Sequence, residues 1–144
     1  MAMTAATGRY SWMKVVDVMT KEPLTVTTSE TIGQADELMS ENKIRQVPVV
    51  KDKALLGIVT DRDIRSFLSG SLWGTREEHE KALNTKVREI MTSEPLTVSP
   101  DDDLQEAMEL LIEEKIGGIP VVSESTLVGL VTTTDILRYV EEME

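Results

Sequence analysis

Two short stretches of this sequence combine a hydroxyl, a carboxylate and a helix start, and they are near copies of each other. Residues 57–64 read Gly-Ile-Val-Thr-Asp-Arg-Asp-Ile, and residues 129–136, 72 positions later, read Gly-Leu-Val-Thr-Thr-Thr-Asp-Ile. In each copy an apolar strand leads into Thr-x-x-Asp, and an apolar-periodic helix follows. Because the backbone N–H groups at a helix N-terminus lack partners and attract anions, each junction predicts a place for the sugar and phosphate of a nucleotide.

The carboxylates and hydroxyls of these junctions have two interpretations. Asp63 and Asp135 can each accept hydrogen bonds from both vicinal hydroxyls of a ribose, while Thr60 and Thr132 lie where a phosphate would be bound. However, Thr-x-x-Asp is also a capping box, which stabilises a helix by about 1 kcal/mol. The tetrapeptide by itself favours the cap, and one residue can serve both roles.

The residues around the two junctions are not copied. Arg45 and Arg62 in the first repeat are candidates for phosphate contacts, because a guanidinium can bind two oxygens at once, although solvated surface arginines fit the sequence equally well. The second repeat has Gly117-Gly118 and Thr133-Thr134 at the corresponding positions. The glycines allow either close ligand approach or a simple turn after a helix. We therefore expect two sites that differ in affinity or in ligand.

Composition limits the class of protein. The 144 residues carry a net charge of −11, which would repel a phosphate backbone and argues against nucleic-acid binding. There is no cysteine and one histidine, so we expect no metal site. No apolar run has membrane-spanning length, and the N-terminus lacks the apolar segment of a signal peptide. The expected location is the cytoplasm, without a membrane contact.

Periodicity predicts a β-α-β-β-α order in each repeat. The first helices are expected to begin with the capping boxes Thr27-x-x-Glu30 and Ser99-x-x-Asp102. The predicted fold class is α/β (α+β), with two repeats packed by pseudo-twofold symmetry, because one such unit alone buries little apolar surface. The predicted boundaries are an N-terminal extension at 1–13, in which Tyr10 and Trp12 could pack locally, repeats at 14–69 and 86–144, and a partly helical linker at 70–85.

Three motifs recur in this order: Met-Thr before the first strand, a strand of the Val-Pro-Val-Val type, and Gly-x-Val-Thr-x-x-Asp-Ile. Together they resemble the cystathionine-β-synthase-type domain, or CBS domain, and a tandem of two resembles a Bateman module. The resemblance implies a homodimer that binds an adenine nucleotide (AMP, ADP or ATP, or else NAD or S-adenosylmethionine) in clefts between the two domains. Magnesium is expected only together with bound phosphates.

The resemblance also implies which residues bind the ligand. In each junction the resemblance implies that the Thr contacts phosphate and the Asp binds the ribose hydroxyls. One adenine pocket is implied to be lined by residues 20–23 with 44–48, and the other by residues 92–95 with 116–120. The predicted nucleotide-binding residues are Thr20, Pro23, Arg45, Gln46, Val47, Pro48, Thr60, Arg62, Asp63, Thr92, Pro95, Gly118, Ile119, Pro120, Thr132, Thr134 and Asp135.

The resulting prediction is a regulatory protein that signals energy or metabolite state to a separate effector protein. It is not expected to be an enzyme, because the sequence has no Ser/His/Asp set and no Walker loop. One alternative is a ligand-free interaction or dimerisation module in which both junctions are only caps. The other is an enzyme that acts on nucleotides.

Overall fold

The computed structural model describes residues 12–143, which form two compact units. The split unit consists of residues 12–23 and 96–143, and the central unit is Leu24–Pro95. The mixed α/β class with two repeats is confirmed. Most of the predicted N-terminal extension, including Tyr10, lies outside the described residues.

In chain order the elements are α1 (Val15–Val18), β1 (Thr20–Lys21), β2 (Val26–Thr27), α2 (Ile32–Asn42), β3 (Gln46–Lys51), β4 (Ala54–Thr60), α3 (Asp61–Ser69), α4 (Arg76–Leu83), a 3-10 turn (Val87–Glu89), β5 (Thr92–Ser93), α5 (Leu104–Glu114), β6 (Gly118–Ser123), β7 (Thr126–Thr132) and α6 (Thr133–Met143).

The two units contain the same sheet. In the central unit the strand order is β5-β4-β3-β2, in which β2 and β3 are parallel and the other pairs antiparallel. In the split unit β1, β7 and β6 are paired antiparallel in that order, and Val98 forms a parallel bridge to Val121. The predicted hairpins are therefore confirmed as β3-β4 and β6-β7, each with a two-residue turn of positive φ at Asp52–Lys53 and at Glu124–Ser125.

Each unit has an aliphatic core of its own, as the scarcity of aromatic residues predicts. The core of the central unit is Val26, Ile32, Ala35, Met39, Val47, Val49, Val59, Ile64 and Val87. The core of the split unit is Met13, Val15, Val98, Leu104, Ala107, Leu111, Ile119, Val121, Val131 and Ile136. Most of these residues come from facing strands and helices of one repeat, but Val15 and Val87 come from the segment that precedes the other repeat. Met13, which we predicted to belong to the extension, is buried.

The segments before each first strand, residues 13–21 and 85–93, are here called the lead-in segments. The first lead-in segment is held in the split unit, where the Val15 N–H donates to the Asp102 carbonyl (2.9 Å) and the Leu104 N–H to the Met13 carbonyl (2.9 Å). The second is held by equivalent bonds in the central unit, where the Val87 N–H donates to the Glu30 carbonyl (2.9 Å) and the Ile32 N–H donates to the Thr85 carbonyl (2.8 Å). Each lead-in segment thus completes the unit built mainly from the other repeat.

Glycine makes this packing feasible at β7 and β4. A Cβ placed on Gly129 would lie 2.5 Å from Met19 Sδ and 3.0 Å from the Thr20 carbonyl oxygen, so β1 approaches β7 only because that side chain is missing. Gly57 has the same environment, with Met91 Sδ and the Thr92 carbonyl oxygen each at 2.7 Å. A glycine inside a strand often marks such a close approach of another backbone.

The predicted starts of the first helix in each repeat are wrong. The first begins at Ile32 and is capped by Thr31, whose hydroxyl accepts from the Gln34 N–H at 3.1 Å. Thr27 and Glu30 close a turn before it, in which the Thr27 N–H donates to Glu30 Oε1. In the second repeat Ser99 and Asp102 close the same turn, and that helix begins at Leu104. A turn of this kind uses the hydrogen bonds of a capping box, so the pattern alone does not distinguish the two.

Three side chains of the central unit differ in exposure. Phe67 is 39% exposed, because Ile64 and Leu68 cover the inner face of α3. His79 is half-buried, and its Nδ1 lies 2.7 Å from Ser71 Oγ. Helix α4 lies within the predicted linker, and Trp73 before it is 94% exposed.

We expect Gly129→Ala to lower the free energy of unfolding by about 1–3 kcal/mol, because the new methyl group must displace backbone as well as Met19. Urea unfolding measures this change. The control is Gly70→Ala, where the nearest atom is 3.9 Å away and the backbone is already helical, so a gain of about 0.4–1 kcal/mol is expected. Equal effects of the two variants would show that close packing at Gly129 is unimportant.

Candidate functional site

The junction of the central unit is a complete capping box at the start of α3. The Asp63 N–H donates to Thr60 Oγ1 at 3.1 Å, and the Thr60 N–H donates to Asp63 Oδ2 at 3.0 Å. Both side chains are half-buried. The cap uses the Thr60 oxygen as an acceptor but leaves its hydroxyl proton unused, and it uses one of the two carboxylate oxygens. The remaining proton and oxygen can still bind a ligand, so the cap and the ligand contact are compatible.

The junction of the split unit has the same box and one further bond. The Asp135 N–H donates to Thr132 Oγ1 and the Thr132 N–H to Asp135 Oδ2, both at 3.0 Å. In addition, the Thr20 hydroxyl of the first lead-in segment donates to Asp135 Oδ1 at 2.9 Å. The strand pairing of Thr20 with Leu130 places it beside the junction. Sequence reasoning singled out all three residues, but it did not predict this contact.

The start of each of these helices is hydrogen-bonded to the residue that precedes the first strand of its hairpin. The Asp61 N–H donates to the Arg45 carbonyl at 2.9 Å, and the Thr133 N–H donates to the Gly117 carbonyl at 3.0 Å. The backbone at residues 45 and 117 therefore lies next to the N-termini of α3 and α6, while the role of residues 45–48 and 117–120 in a site stays a prediction. Arg45 in particular is held by its own backbone beside the start of α3.

The charged side chains differ between the two junctions. Arg45 and Arg62 are exposed, and neither forms an ion pair within residues 12–143, so both cations remain available to an anion. Asp61 lies 3.5 Å from Arg65, which offsets the repulsion that it would otherwise exert on a phosphate. At the other junction the exposed Thr133 and Thr134 replace Asp61 and Arg62. The central unit therefore has the more cationic junction.

The structure sorts the predicted residues by unit. The central unit holds Arg45, Gln46, Val47, Pro48, Thr60, Arg62, Asp63, Thr92 and Pro95, whereas the split unit holds Thr20, Pro23, Gly118, Ile119, Pro120, Thr132, Thr134 and Asp135. Within the split unit, Thr20 is grouped with the second junction through its bond to Asp135, while its expected grouping with residues 44–48 stays a prediction. Val47 and Ile119 are fully buried in the cores, so their side chains support the site and only their backbone can contact a ligand.

Sequence reasoning missed the role of two residues, Gly57 and Gly129. Both open the recurring stretches, but only the structure shows that they allow the lead-in segments to reach the junctions. The available signal was a glycine at the same interior position of both strands, which predicts close approach of another chain segment.

Within residues 12–143, no group of three or more His, Asp or Glu side chains is arranged to hold a metal ion. Among the helices of the same part of the chain, none combines the length and apolar character needed to cross a bilayer.

Comparison with protein families matches these two repeats individually. The CBS domain profile covers residues 15–70 and again residues 87–142. The chain belongs to the CBS domain family. Among curated relatives, MJ1225 of Methanocaldococcus jannaschii is 38% identical over 127 residues, and the CBS domain-containing protein YhcV of Bacillus subtilis is 33% identical over 122 residues, covering 85% of this chain and 81% of YhcV.

The chain spans less than half of several longer relatives in the CBS domain family. It aligns with 45% of MJ1225, using 82% of its own residues, and with 22% of an inosine-5'-monophosphate dehydrogenase from Korarchaeum cryptofilum that is 38% identical. What those proteins share with this chain is therefore the pair of CBS domains.

Solved CBS-pair structures have the same fold. A protein assigned to acetoin utilization, AcuB of Vibrio cholerae, matches with a TM-score of 0.80 at 33% identity and covers 91% of this chain and 92% of its own. CBSX2 in complex with AMP matches with a TM-score of 0.77 at 30% identity, covering 90% and 97%. The CBS domain pair of MJ0100, in complex with 5-methylthioadenosine and S-adenosyl-L-methionine, matches with 0.77 at 26% identity, covering 92% and 98%.

We expect Thr132→Ala to lower the free energy of unfolding by about 1 kcal/mol, because the Asp135 N–H loses its capping acceptor. Thermal unfolding without ligand measures the loss. Thr134→Ala is the matched control, since Thr134 is exposed on the same helix turn and its hydroxyl makes no hydrogen bond to any described residue. We expect its effect to stay within about 0.5 kcal/mol. A control as damaging as Thr132→Ala would contradict the capping role.

Proposed function

We propose that this chain is a regulatory CBS-pair protein that binds adenosine nucleotides at its two Thr-x-x-Asp junctions. The observation that carries the proposal is the half-buried carboxylate at each helix N-terminus, which keeps acceptor capacity after its cap is made. The AMP complex of CBSX2 and the S-adenosylmethionine complex of MJ0100 support an adenosine ligand. In this proposal AMP, ADP and ATP are the first candidates, and NAD and S-adenosylmethionine follow.

The ribose is assigned to the carboxylates. Asp63 Oδ1 receives no hydrogen bond from the described residues, and one carboxylate can accept from both vicinal hydroxyls of a ribose in charge-assisted bonds. The backbone N–H of Thr60 holds Oδ2 from the other side, so the carboxylate is oriented before a ligand arrives. This assignment makes the two aspartates the residues on which affinity depends most.

The phosphate is assigned to the helix starts and the two arginines. The hydroxyl protons of Thr60 and Thr132, which no described residue accepts, and the positive ends of the helix dipoles favour an anion at both junctions. Arg45 and Arg62, which form no ion pair with another described residue, add two cations in the central unit. We therefore propose that the central unit prefers ligands with more phosphate charge. Magnesium enters this proposal only as a partner of bound phosphates.

Apolar residues beside each junction can enclose the adenine ring. In the central unit these are the half-buried Ile44 and Pro95, and in the split unit Pro23 and Ile116, of which Ile116 is 37% exposed. An adenine ring needs such apolar walls together with a few backbone partners. Pro48 and Pro120 lie buried at the starts of β3 and β6 and stiffen the backbone next to these walls.

The proposed output is a signal of energy or metabolite state to a separate effector protein in the cytoplasm. A regulatory role is preferred to catalysis, because CBS domains account for residues 15–70 and 87–142, and among residues 12–143 no set for nucleophilic or general-base chemistry accompanies the junctions. The competing proposal is a ligand-free interaction module, in which the same Thr-x-x-Asp boxes act only as caps.

Calorimetric titration of AMP, ADP, ATP, NAD and S-adenosylmethionine tests the proposal. We expect at least one to bind the wild type, and Asp63→Asn and Asp135→Asn each to weaken one site by about tenfold or more, because a hydrogen bond to a charged group is lost. Asparagine keeps an oxygen that can accept the capping N–H, so unfolding midpoints serve as the control for helix integrity. Absence of binding by all five ligands would favour the interaction module.

A homodimer is part of the proposal, and one surface supports it. Ile112 and Leu137 are 73% and 65% exposed on neighbouring helices α5 and α6, where they border an apolar groove lined by Met108, Leu111 and Ile136. At the corresponding places the first repeat has the polar residues Ser40, Arg65 and Asp36. Because each copy carries a net charge of −11, two copies dock best through a patch without charge. We assign this face of the second repeat to a second copy of the chain.

We expect the double variant Ile112→Glu with Leu137→Glu to be monomeric, while the wild type is dimeric, because four buried carboxylates would face one another across the interface. Size-exclusion chromatography with light scattering measures the mass. The matched control, Ser40→Glu with Arg65→Glu, carries the same new side chains on the first repeat and should remain dimeric. A monomeric wild type would instead leave this face to the effector protein.

A further inference from the structure

The two proposed ribose carboxylates are held differently. Asp135 is bound at both oxygens, by the Thr132 N–H at Oδ2 (3.0 Å) and by the Thr20 hydroxyl at Oδ1 (2.9 Å). Asp63 is bound at Oδ2 by the Thr60 N–H (3.0 Å), and no described residue donates to its Oδ1. The extra bond spans 115 positions of the chain and joins the first lead-in segment to the second repeat.

The difference does not come from the backbone. Thr20 and Thr92 occupy the same place, since each follows a methionine and pairs with the residue after the strand glycine, Leu130 in one unit and Ile58 in the other. At both Gly129 and Gly57, the methionine sulfur and threonine carbonyl oxygen of the lead-in segment lie within 3.0 Å of the position that a Cβ would occupy. What differs is the use of the hydroxyl: Thr20 commits its single proton to Asp135, whereas the Thr92 hydroxyl makes no hydrogen bond within residues 12–143.

We propose that Thr20 is a positioning residue for Asp135 and that this bond makes the two nucleotide sites unequal. The inference rests on the proposed function and assigns to Thr20 a role through the carboxylate rather than a direct contact with the ligand. A carboxylate oxygen can accept two hydrogen bonds, so Oδ1 keeps capacity for a ribose hydroxyl while Thr20 restrains its rotation. The ordering of the side chain then takes place before binding, which favours affinity.

In this proposal the restrained carboxylate contributes to the affinity of the Asp135 site, whereas Arg45 and Arg62 contribute to the affinity of the Asp63 site. This division predicts that the split unit discriminates mainly by the ribose and the central unit mainly by the phosphates. Ligands that share the ribose of AMP but differ in phosphate charge should separate the two sites most clearly.

The test uses AMP titrated calorimetrically into the full chain in an Asp63→Asn background, so that the observed binding belongs to the Asp135 site. Thr20→Val keeps the side-chain shape and removes the hydroxyl, and we expect it to weaken AMP binding about fivefold to tenfold. Thr20→Ser retains the hydroxyl and should bind as the parent does. In the same Asp63→Asn background, Thr97→Val is the matched control, because it removes an exposed hydroxyl of the split unit that is assigned to neither site, and it should change AMP binding less than about twofold.

A second set of measurements distinguishes a positioning role of Thr20 from a general loss of stability or binding. The 2′,3′-dideoxy analogue of AMP lacks the hydroxyls that Asp135 would bind, so its weaker binding should not depend on Thr20. Without any ligand, the shifts in urea midpoint caused by Thr20→Val and Asp135→Asn should be non-additive, and those of Thr92→Val and Asp63→Asn additive.

The outcomes are distinguishable. If the wild type binds none of the adenosine ligands, the proposed function fails, and additive midpoint shifts for Thr20 and Asp135 would reject the positioning bond as well. If AMP binds and Asp135→Asn weakens it, but Thr20→Val leaves binding unchanged or tightens it, the function stands and the role of Thr20 is overturned. A loss that is equal for AMP and its dideoxy analogue would also overturn it.

Discussion

The close approach of the lead-in segments to β4 and β7 is the constraint on which the rest of the structure depends. At Gly129 and Gly57 a backbone carbonyl and a methionine sulfur occupy the space of the missing side chain. This contact pairs β1 with β7 and β5 with β4, and it brings one threonine of each lead-in segment to a junction. Neither unit would have its full core without it, because Val15 and Val87 arrive on the same segments.

Helix capping and the proposed ligand binding involve the same residues at the junctions. Thr60 and Thr132 accept from the helix N–H groups with their oxygens and keep their protons, while Asp63 and Asp135 use one oxygen for the cap. A capping box is therefore not an alternative to a binding site, since the two uses need different atoms of the same side chains. This sharing explains why the tetrapeptide alone did not decide between them.

Duplication has preserved the backbone of the two CBS domains and changed the side chains around it. The turns, caps and lead-in contacts recur at a spacing of 72 residues, whereas Arg45 and Arg62 are replaced by Gly117 and Thr134. The outer helical face is polar in the first repeat and apolar in the second. The two repeats therefore present two junctions of unequal charge and one exposed apolar helical face.

The sequence by itself determined the repeat, the α/β class, the hairpins and the four Thr and Asp residues of the junctions, because these follow from local periodicity and local hydrogen bonds. Tertiary structure alone decided where the first helices begin, that Met13 is part of a core, and that Thr20 donates to Asp135. The physical reason is that two similar repeats offer a lead-in segment two similar surfaces, Gly57 on β4 and Gly129 on β7. A local pattern cannot distinguish them, and only the packing of the whole chain selects one.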